Sequence, residues 1–235
     1  MMRIQKYLSQ QKILSRREAE DYIRKGLIKL NGKIVTEMGV QIDPEKDKIE
    51  VLRAPAAKVA AKLTVAVNKP RGIVSSKMET EGETIFQLLP QFKYLNAVGR
   101  LDKESEGLIL LSNDGTVTAA VTGAEHLVEK EYEVTVQEDI APGKLKKMAE
   151  GVRLDDGVTL PAETELISQH KFKIILKEGR KHQIRRMADA LHLTVVNLKR
   201  VRVGNIRLGK LKPGEFRALD KNEVEELKKM GTKMS

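Results

Sequence analysis

A run of small residues in the first third of the chain divides the sequence into two regions with different patterns. Residues 54–61 are mostly alanine with one proline and show no core pattern, which is typical of an interdomain linker. A chain of 235 residues is long enough for two domains. We therefore predict an N-terminal domain at 1–52, a linker at 53–62, a larger domain at 63–220 and a C-terminal helix or tail at 221–235.

Local signals in the first region predict two helices followed by a hairpin. Apolar residues at helical spacing indicate a helix over residues 3–10. Ser15 and Glu18 form a capping box at the start of a second helix, which we expect to run to about residue 25 and end at Gly26. Asn31-Gly32 between two short β-prone runs is a strong hairpin signal.

The charge of the chain favours a polyanionic partner. Lysine and arginine number 43 against 33 acidic residues, a net charge of +10, and a basic surface gains affinity for phosphates by releasing their counterions. A merely solvated surface is the alternative, but the N-terminal cations favour RNA. They are concentrated in one small domain: Lys6, Lys12, Arg16, Arg17, Arg24, Lys25, Lys29 and Lys33.

Several classes of protein and site receive no support from the sequence. The absence of cysteine removes disulfides, thiolate catalysis and zinc ribbons. The histidines are scattered without metal-ligand spacing, and no apolar run has membrane length. We therefore expect a cytoplasmic protein with no metal and no membrane partner.

The second region has the pattern of a mixed α+β domain with a mainly antiparallel sheet. Apolar runs or alternation predict strands near residues 63–67, 108–111, 132–136 and 172–176. Helical spacing and capping signals predict helices over 116–122, 143–150 and 181–191 and after Asp220, where Glu223 completes a capping box. No dinucleotide or phosphate-binding glycine loop is present in the sequence.

Asp102 lies in a predicted loop that leads into the buried strand at 108–111. A carboxylate at such a place combines an accessible position with a rigid base, which suits a catalytic group. Its neighbours Arg100 and Lys103 also allow an ordinary solvated ion pair. On these residues alone both interpretations stay open.

A basic helix further along the chain offers a partner for a carboxylate. Its core stripe leaves Arg185 at the border, where a partly desolvated guanidinium can hold a carboxylate in a two-pronged interaction. The neighbouring cations Arg180, Lys181 and Arg186 can equally form a solvated face, and Tyr132 can be a core aromatic. The turn at 68–72 is predicted to present Lys69 and Arg71.

The N-terminal motifs together resemble an S4 RNA-binding domain. They are Lys6-Tyr7-Leu8, the Ser15-to-Glu20 helix cap and Leu30-Asn31-Gly32-Lys33. The resemblance implies an RNA-binding surface on the two helices, with Arg16, Arg17 and Arg24 as its candidate residues.

Five ordered motifs of the second domain resemble the RsuA group of pseudouridine synthases, which also carry an S4 domain. They are residues 68–72, 99–102, 107–115, 130–132 and 179–187. Residues 102–107 and 129–132 look most like the RluF type, which modifies large-subunit ribosomal RNA. Lys181-His182 departs from the Asn-Arg that relatives often have there.

The resemblance implies an isomerase that converts a specific uridine of ribosomal RNA, in the 23S molecule, to pseudouridine. It maps the catalytic aspartate onto Asp102, the active-site tyrosine onto Tyr132 and the basic partner of the aspartate onto Arg185. Arg100 is expected to fill the gap left by the flipped base. We expect further RNA contacts from Lys69, Arg71, Arg180, Lys181 and Arg186. The isomerisation involves no redox change, so no cofactor is expected, and we expect a monomer.

Two other functions remain at this point. A non-catalytic S4-type protein that binds ribosomal RNA or assists ribosome assembly would use the same basic surfaces, but it would not need Asp102, Tyr132 and Arg185 together. An N-glycoside hydrolase acting on RNA would need a second carboxylate, and only Glu104 or Glu106 is near Asp102 in sequence.

Overall fold

The chain forms two compact units, Met1–Ala61 and Lys62–Ser235. The computed structural model describes residues 1–11, 13–52, 61–123 and 128–232. Most of the predicted linker, and Lys12 of the predicted basic face, lie outside the described residues. The predicted domain boundaries stay predictions.

The N-terminal unit contains two helices and short strands around a small core that includes Ile4, Leu8 and Ile23. The elements are β1 (Met2–Arg3), α1 (Ile4–Gln10), α2 (Arg16–Arg24), β2 (Ile28–Leu30), β3 (Lys33–Ile34), β4 (Gln41–Ile42) and β5 (Ile49–Val51). The predicted capping box is confirmed, because the Glu18 amide donates to Ser15 Oγ at 3.2 Å and the Ser15 amide to Glu18 Oε2 at 2.7 Å. The predicted hairpin is also confirmed, with β2 and β3 paired and positive φ angles at Asn31 and Gly32.

The C-terminal unit is built on a nine-stranded sheet. Its strands are β6 (Thr64–Lys69), β7 (Asn96–Val98), β8 (Glu106–Ser112), β9 (Lys130–Val136), β12 (Glu163–Ser168), β13 (Lys171–Leu176), β14 (Val195–Val203), β15 (Ile206–Arg207) and β16 (Phe216–Ala218). A separate hairpin pairs β10 (Arg153–Leu154) with β11 (Gly157–Val158). The helices are α3 (Ile85–Leu88), α4 (Gly115–Thr122), α5 (Pro142–Glu150), α6 (Gln183–Asp189) and α7 (Lys221–Thr232), with 3-10 turns at Glu79–Glu81 and Pro90–Phe92.

The order of the main sheet is β12-β13-β9-β14-β8-β6-β16, with β15 added to β14 and β7 to β8. Among the described strand pairs of this sheet, β8 and β14 run parallel and the others are antiparallel. The predicted α+β class with a mainly antiparallel sheet is therefore confirmed. The parallel pair divides the sheet into a part containing β9, β13 and β14 and a part containing β6 and β8.

The helix predicted over 181–191 is shorter than expected. It spans Gln183–Asp189 because His182 adopts a left-handed conformation, with φ 50°, and cannot join the helix. At the other end His192, with φ 54°, takes the place that glycine often fills, and the Leu193 amide donates to the Ala188 carbonyl at 2.9 Å. Each end of α6 therefore has a histidine with a positive φ angle.

The C-terminal helix is part of the larger unit. Leu227 of α7 is fully buried, and the predicted capping box is present, since the Glu223 amide donates to Asp220 Oδ1 and the Asp220 amide to Glu223 Oε2. Lys228 also forms an ion pair at 3.1 Å with Asp114, which caps α4. Although burial raises the pKa of Asp114, hydrogen bonds from Thr116 and Lys228 lower it to about 2.

Candidate active site

A cavity of about 730 Å³ lies between the loop before β8 and the ends of strands β9, β13 and β14. The loop before α6 closes a further side. The charged and aromatic residues that line this cavity include Arg100, Asp102, Lys130, Tyr132, His182 and Arg200. Arg100, Asp102 and Tyr132 were predicted as site residues from the sequence, and the structure adds Lys130, His182 and Arg200 to the cavity wall.

Asp102 lies on a loop that is fixed at several points. Its carbonyl accepts from the Ser105 amide at 3.0 Å, and the preceding Leu101 is held through both its amide and its carbonyl by the buried hydroxyl of Ser75. The loop continues into β8, whose residues 107–112 are buried. The side chain of Asp102 is 40% exposed, so a rigid base holds the carboxylate at the accessible cavity wall.

Gly107 sets the distance between this loop and the neighbouring strand. Its φ angle is +101°, and a Cβ there would lie 2.2 Å from the carbonyl oxygen of Arg200. The parallel register pairs Arg200 with Gly107 at this position. The strand that follows Asp102 can therefore approach β14 closely only because residue 107 has no side chain.

His182 lies beside the Asp102 carboxylate. Its Nε2 lies 3.5 Å from Asp102 Oδ1, and its side chain is half exposed. The left-handed backbone of His182 is uncommon for a residue other than glycine, and it positions the imidazole beside the carboxylate. The sequence analysis noted His182 only as a departure from relatives.

The predicted pairing of Arg185 with Asp102 is wrong. In the described structure Arg185 forms neither an ion pair nor a hydrogen bond with Asp102. Its guanidinium instead donates to the carbonyl of Val195 at 3.2 Å and to the carbonyl of Glu104 at 3.0 Å. Arg185 thus contacts the backbone that follows Asp102 and not its carboxylate. Arg185 therefore connects the start of β14 to the Asp102 loop.

Tyr132 lies at the centre of the sheet and forms part of the cavity wall. It is half-buried and packs against two core clusters, one beneath β9 and β13 and the other beneath β6 and β8. Its direct neighbours across the sheet are Ile174 on β13 and Arg200 on β14. Tyr132 therefore contacts the core and also lines the cavity, and its role in the site stays a prediction.

The prediction that Lys69 contacts RNA is wrong, because this side chain is fully buried. Its Nζ donates to the carbonyls of Pro70 at 2.9 Å and Ile73 at 2.7 Å. Burial lowers the pKa of Lys69 to about 8, while the charge of Asp102 opposes that change. Lys69 thus fixes the turn after β6 and contributes a buried positive charge near Asp102.

Lys130 and Arg200 are functional candidates that the sequence analysis missed. Arg200 is only 5% exposed, and it donates to the carbonyls of Leu108 at 2.7 Å and Arg100 at 3.3 Å. Burial, together with the charge of Arg200, lowers the pKa of Lys130 to about 8. Lys130 could have been identified from its alternation with Tyr132, but no local signal places Arg200 beside the cavity.

The other predicted RNA contacts differ in exposure and in their partners. Most are exposed, namely Arg16, Arg17, Arg24, Arg71, Arg100 and Lys181, and Arg100, Arg180 and Lys181 line the cavity. Four of the arginines have carboxylate partners: Arg24 pairs with Asp21, Arg71 with Glu104, Arg180 with Glu178 and Asp156, and Arg186 with Asp156. Hydrogen bonds from Arg186 lower the pKa of Asp156 to about 2. A role in RNA binding stays a prediction for all of these residues.

The described residues contain neither a membrane-spanning helix nor a cluster of metal ligands. No helix there is long and apolar enough to cross a membrane. No group of three or more histidine, aspartate or glutamate side chains in the same ranges is placed to hold a metal ion.

Comparison with known proteins connects this geometry to a family. Residues 63–190 match the RNA pseudouridylate synthase family, and residues 2–48 match the S4 domain. An uncharacterised RNA pseudouridine synthase of Aquifex aeolicus (strain VF5) is 37% identical, and the alignment covers 97% of each chain. The ribosomal large subunit pseudouridine synthase B of Bacillus subtilis (strain 168) is 35% identical over 97% of this chain and 96% of the relative.

Two further matches extend over nearly the whole chain. The ribosomal small subunit pseudouridine synthase A of Yersinia pestis is 32% identical over 95% of this chain and 97% of the relative. A crystal structure of a pseudouridylate synthase superposes with a TM-score of 0.72 at 33% identity, covering 97% of this chain and 100% of that one. The chain therefore belongs to the RsuA group of RNA pseudouridine synthases, which are isomerases with an N-terminal S4 domain.

Proposed function

We propose that this enzyme isomerises a specific uridine of large-subunit ribosomal RNA, with Asp102 as its catalytic carboxylate. The observation that carries the proposal is the position of Asp102 on a fixed loop at the wall of a cavity that is also lined by Tyr132, the half-buried Lys130 and the buried Arg200. Large-subunit RNA is favoured by the similarity to the Bacillus subtilis relative along nearly the whole chain. The RluF subtype stays a prediction.

The isomerisation needs no atoms beyond those of the uridine. The bond between sugar C1′ and base N1 breaks, the base turns within the cavity and C5 bonds to C1′. The proton that leaves C5 is balanced by the proton that N1 gains. An ionised Asp102 can attack C1′, stabilise an oxocarbenium-like sugar or take part in elimination through a glycal.

The neighbouring residues have separate roles in this proposal. Tyr132 offers an aromatic face to the flipped uracil and a hydroxyl for proton transfer. Arg100, exposed at the cavity, fills the space that the base leaves in the RNA. Arg185 acts as a positioning residue, because its bond to the Glu104 carbonyl holds the loop that carries Asp102.

The proposal is tested by following the proton that leaves C5. Ribosomal RNA transcribed with tritium at C5 of uridine should release tritium to water when the purified enzyme is added. Mapping of pseudouridines in ribosomal RNA from cells with and without the protein then identifies the nucleotide. A site in small-subunit RNA would refute the large-subunit assignment, and tritium release by Asp102→Asn at the wild-type rate would remove Asp102 from the mechanism.

A further inference from the structure

Lys130, Tyr132 and Arg200 project from one face of the sheet. Side chains alternate along a strand, so Lys130 and Tyr132, two residues apart on β9, share a face. Arg200 lies directly opposite Tyr132 in the pairing of β9 with β14, where side chains of paired residues are close neighbours. All three line the cavity that contains Asp102. The aromatic ring therefore has a lysine and an arginine beside it.

Neither cation has a carboxylate partner in the described part of the chain. Arg200 donates to two neutral carbonyl oxygens, and the side chain of Lys130 forms no ion pair or hydrogen bond with a described residue. The acidic groups of the cavity are engaged elsewhere: Asp102 lies beside His182, and Glu178 accepts hydrogen bonds from Arg180 and Gln183. The cavity thus contains two adjacent positive charges that the described part of the protein does not neutralise.

Two such charges at a partly buried position repel each other and are costly to remove from water. Burial and the nearby charge of Arg200 both lower the pKa of Lys130. A ligand with an oxyanion between them would relieve this repulsion, and both side chains donate strong hydrogen bonds to phosphate oxygens. In an RNA strand the anionic group next to a base is the phosphodiester.

We propose that Lys130 and Arg200 form a phosphate subsite that binds the phosphodiester adjoining the target uridine while Tyr132 receives the base. This inference rests on the proposed function, because it assumes a uridine of RNA in the cavity. The subsite would anchor the flipped nucleotide by its backbone, so that the uracil can turn after the C1′–N1 bond breaks without the ribose leaving Asp102.

The test compares small ligands that differ only in the phosphate. Binding of uridine, uridine 5′-monophosphate, uridine 3′-monophosphate and inorganic phosphate is measured by NMR titration. In the wild-type protein we expect one of the two monophosphates to bind about tenfold or more tightly than uridine, since a hydrogen bond to a charged group contributes more than a neutral one. The monophosphate that binds more tightly than uridine shows whether the subsite contacts the 5′ or the 3′ side of the ribose.

Lys130→Met should reduce this phosphate preference by about tenfold while uridine affinity stays unchanged. Lys130→Arg should retain most of the preference. Lys173→Met is the matched control, because Lys173 lies on the neighbouring strand β13 and pairs with Glu165 and Glu131. It should leave the preference at the wild-type value.

The folding of the variants provides a second measurement. If Lys130 served the fold, Lys130→Met would lower the urea midpoint, whereas a ligand-binding cation that is repelled by Arg200 predicts an unchanged or higher midpoint. Should the methionine variant fail to fold, the titrations are made with Lys130→Gln, which retains a polar group without the charge.

Three results would overturn the subsite. The first is an unchanged phosphate preference in Lys130→Met. The second is an equal loss of affinity for uridine and for its monophosphates, which would indicate a contact with the base. The third is inorganic phosphate that binds as tightly as the monophosphates. If the enzyme forms pseudouridine but the preference does not change, the subsite alone fails. If the preference behaves as expected but no tritium is released from ribosomal RNA, the proposed function fails and the nucleotide site remains.

Discussion

The cations on the two faces of strands β9, β13 and β14 differ in whether they have carboxylate partners. On the face away from the cavity, Arg202 pairs with Glu131 at 2.7 Å and Glu129 at 3.1 Å, and Lys171 pairs with Glu133 at 2.6 Å. On the cavity face, Lys130 and Arg200 have no carboxylate partner among the described residues. One face therefore neutralises its own charge and supports the fold, while the other leaves charge for a substrate to neutralise.

The largest expected effect concerns Asp102, which lies on the loop before β8 and lines the same cavity as Lys130 and Arg200. Asp102→Asn should lower the rate of tritium release by roughly 10³-fold or more, because removal of a reacting group costs most of the catalysis. RNA affinity should stay near the wild-type value, as measured by filter binding. Glu133→Gln, which removes a carboxylate from the opposite face, is the control and should keep full activity. Comparable losses in both variants would contradict the division between the faces.

Substitutions on the face away from the cavity should change the stability of the protein rather than its activity. Arg202→Met leaves Glu131, whose side chain is 10% exposed, without its closest partner, and breaking such a buried pair costs about 3 kcal/mol. Urea unfolding measures this loss. Lys171→Met removes a more exposed pair and should cost less than about 1 kcal/mol. Equal losses for the two would show that burial does not determine the contribution of these pairs.

The buried lysine near the cavity, Lys69, makes stability depend on pH. The pKa of Lys69 falls from an ordinary value of 10.5 to about 8 in the folded chain, so the unfolded chain binds more protons between these values. The free energy of unfolding should therefore rise with pH from about 8 to 10.5, by about 3 kcal/mol for this fully buried group. Lys69→Met should remove that part of the slope. A variant with the wild-type slope would exclude Lys69 as its source.

The smallest effect is expected from exposed cations that have no close partner to lose. Replacement of Arg16 and Arg17, both exposed on α2, by alanine should weaken RNA binding several-fold and reduce the salt slope of the binding constant by up to about 2. The Arg24→Ala variant is informative as well, because Arg24 already pairs with Asp21 at 2.9 Å. An unchanged salt slope in the double variant would argue against an RNA-binding surface on α2.

The sequence predicted features that depend on neighbouring residues in the chain. The capping box of α2, the Asn31-Gly32 turn and the buried strand after Asp102 are all local, because backbone hydrogen bonding and apolar spacing determine them. Resemblance of ordered motifs supplied the family. These signals were sufficient for the fold class and for the location of Asp102.

The features that the sequence could not predict depend on contacts between distant segments. The burial of Lys69 depends on where the turn after β6 folds back, and the position of Arg200 depends on the pairing of β14 with both β8 and β9. The helical stripe placed Arg185 at the border of the core but did not identify its partners, the carbonyls of Glu104 and Val195. Nor did it indicate that the left-handed backbone of His182 delays the start of α6. A helical stripe cannot indicate such an interruption.

The close contact at Gly107 has a consequence for how this enzyme can change. Asp102 belongs to one part of the sheet and Tyr132 to the other, and the parts meet where Gly107 lies against the backbone of Arg200. A side chain at residue 107 would push these two parts of the sheet apart, although residue 107 is not among the residues that line the cavity. The spacing of Asp102 and Tyr132 therefore depends on a position outside the cavity, and replacement of the lining residues alone would leave that constraint in place.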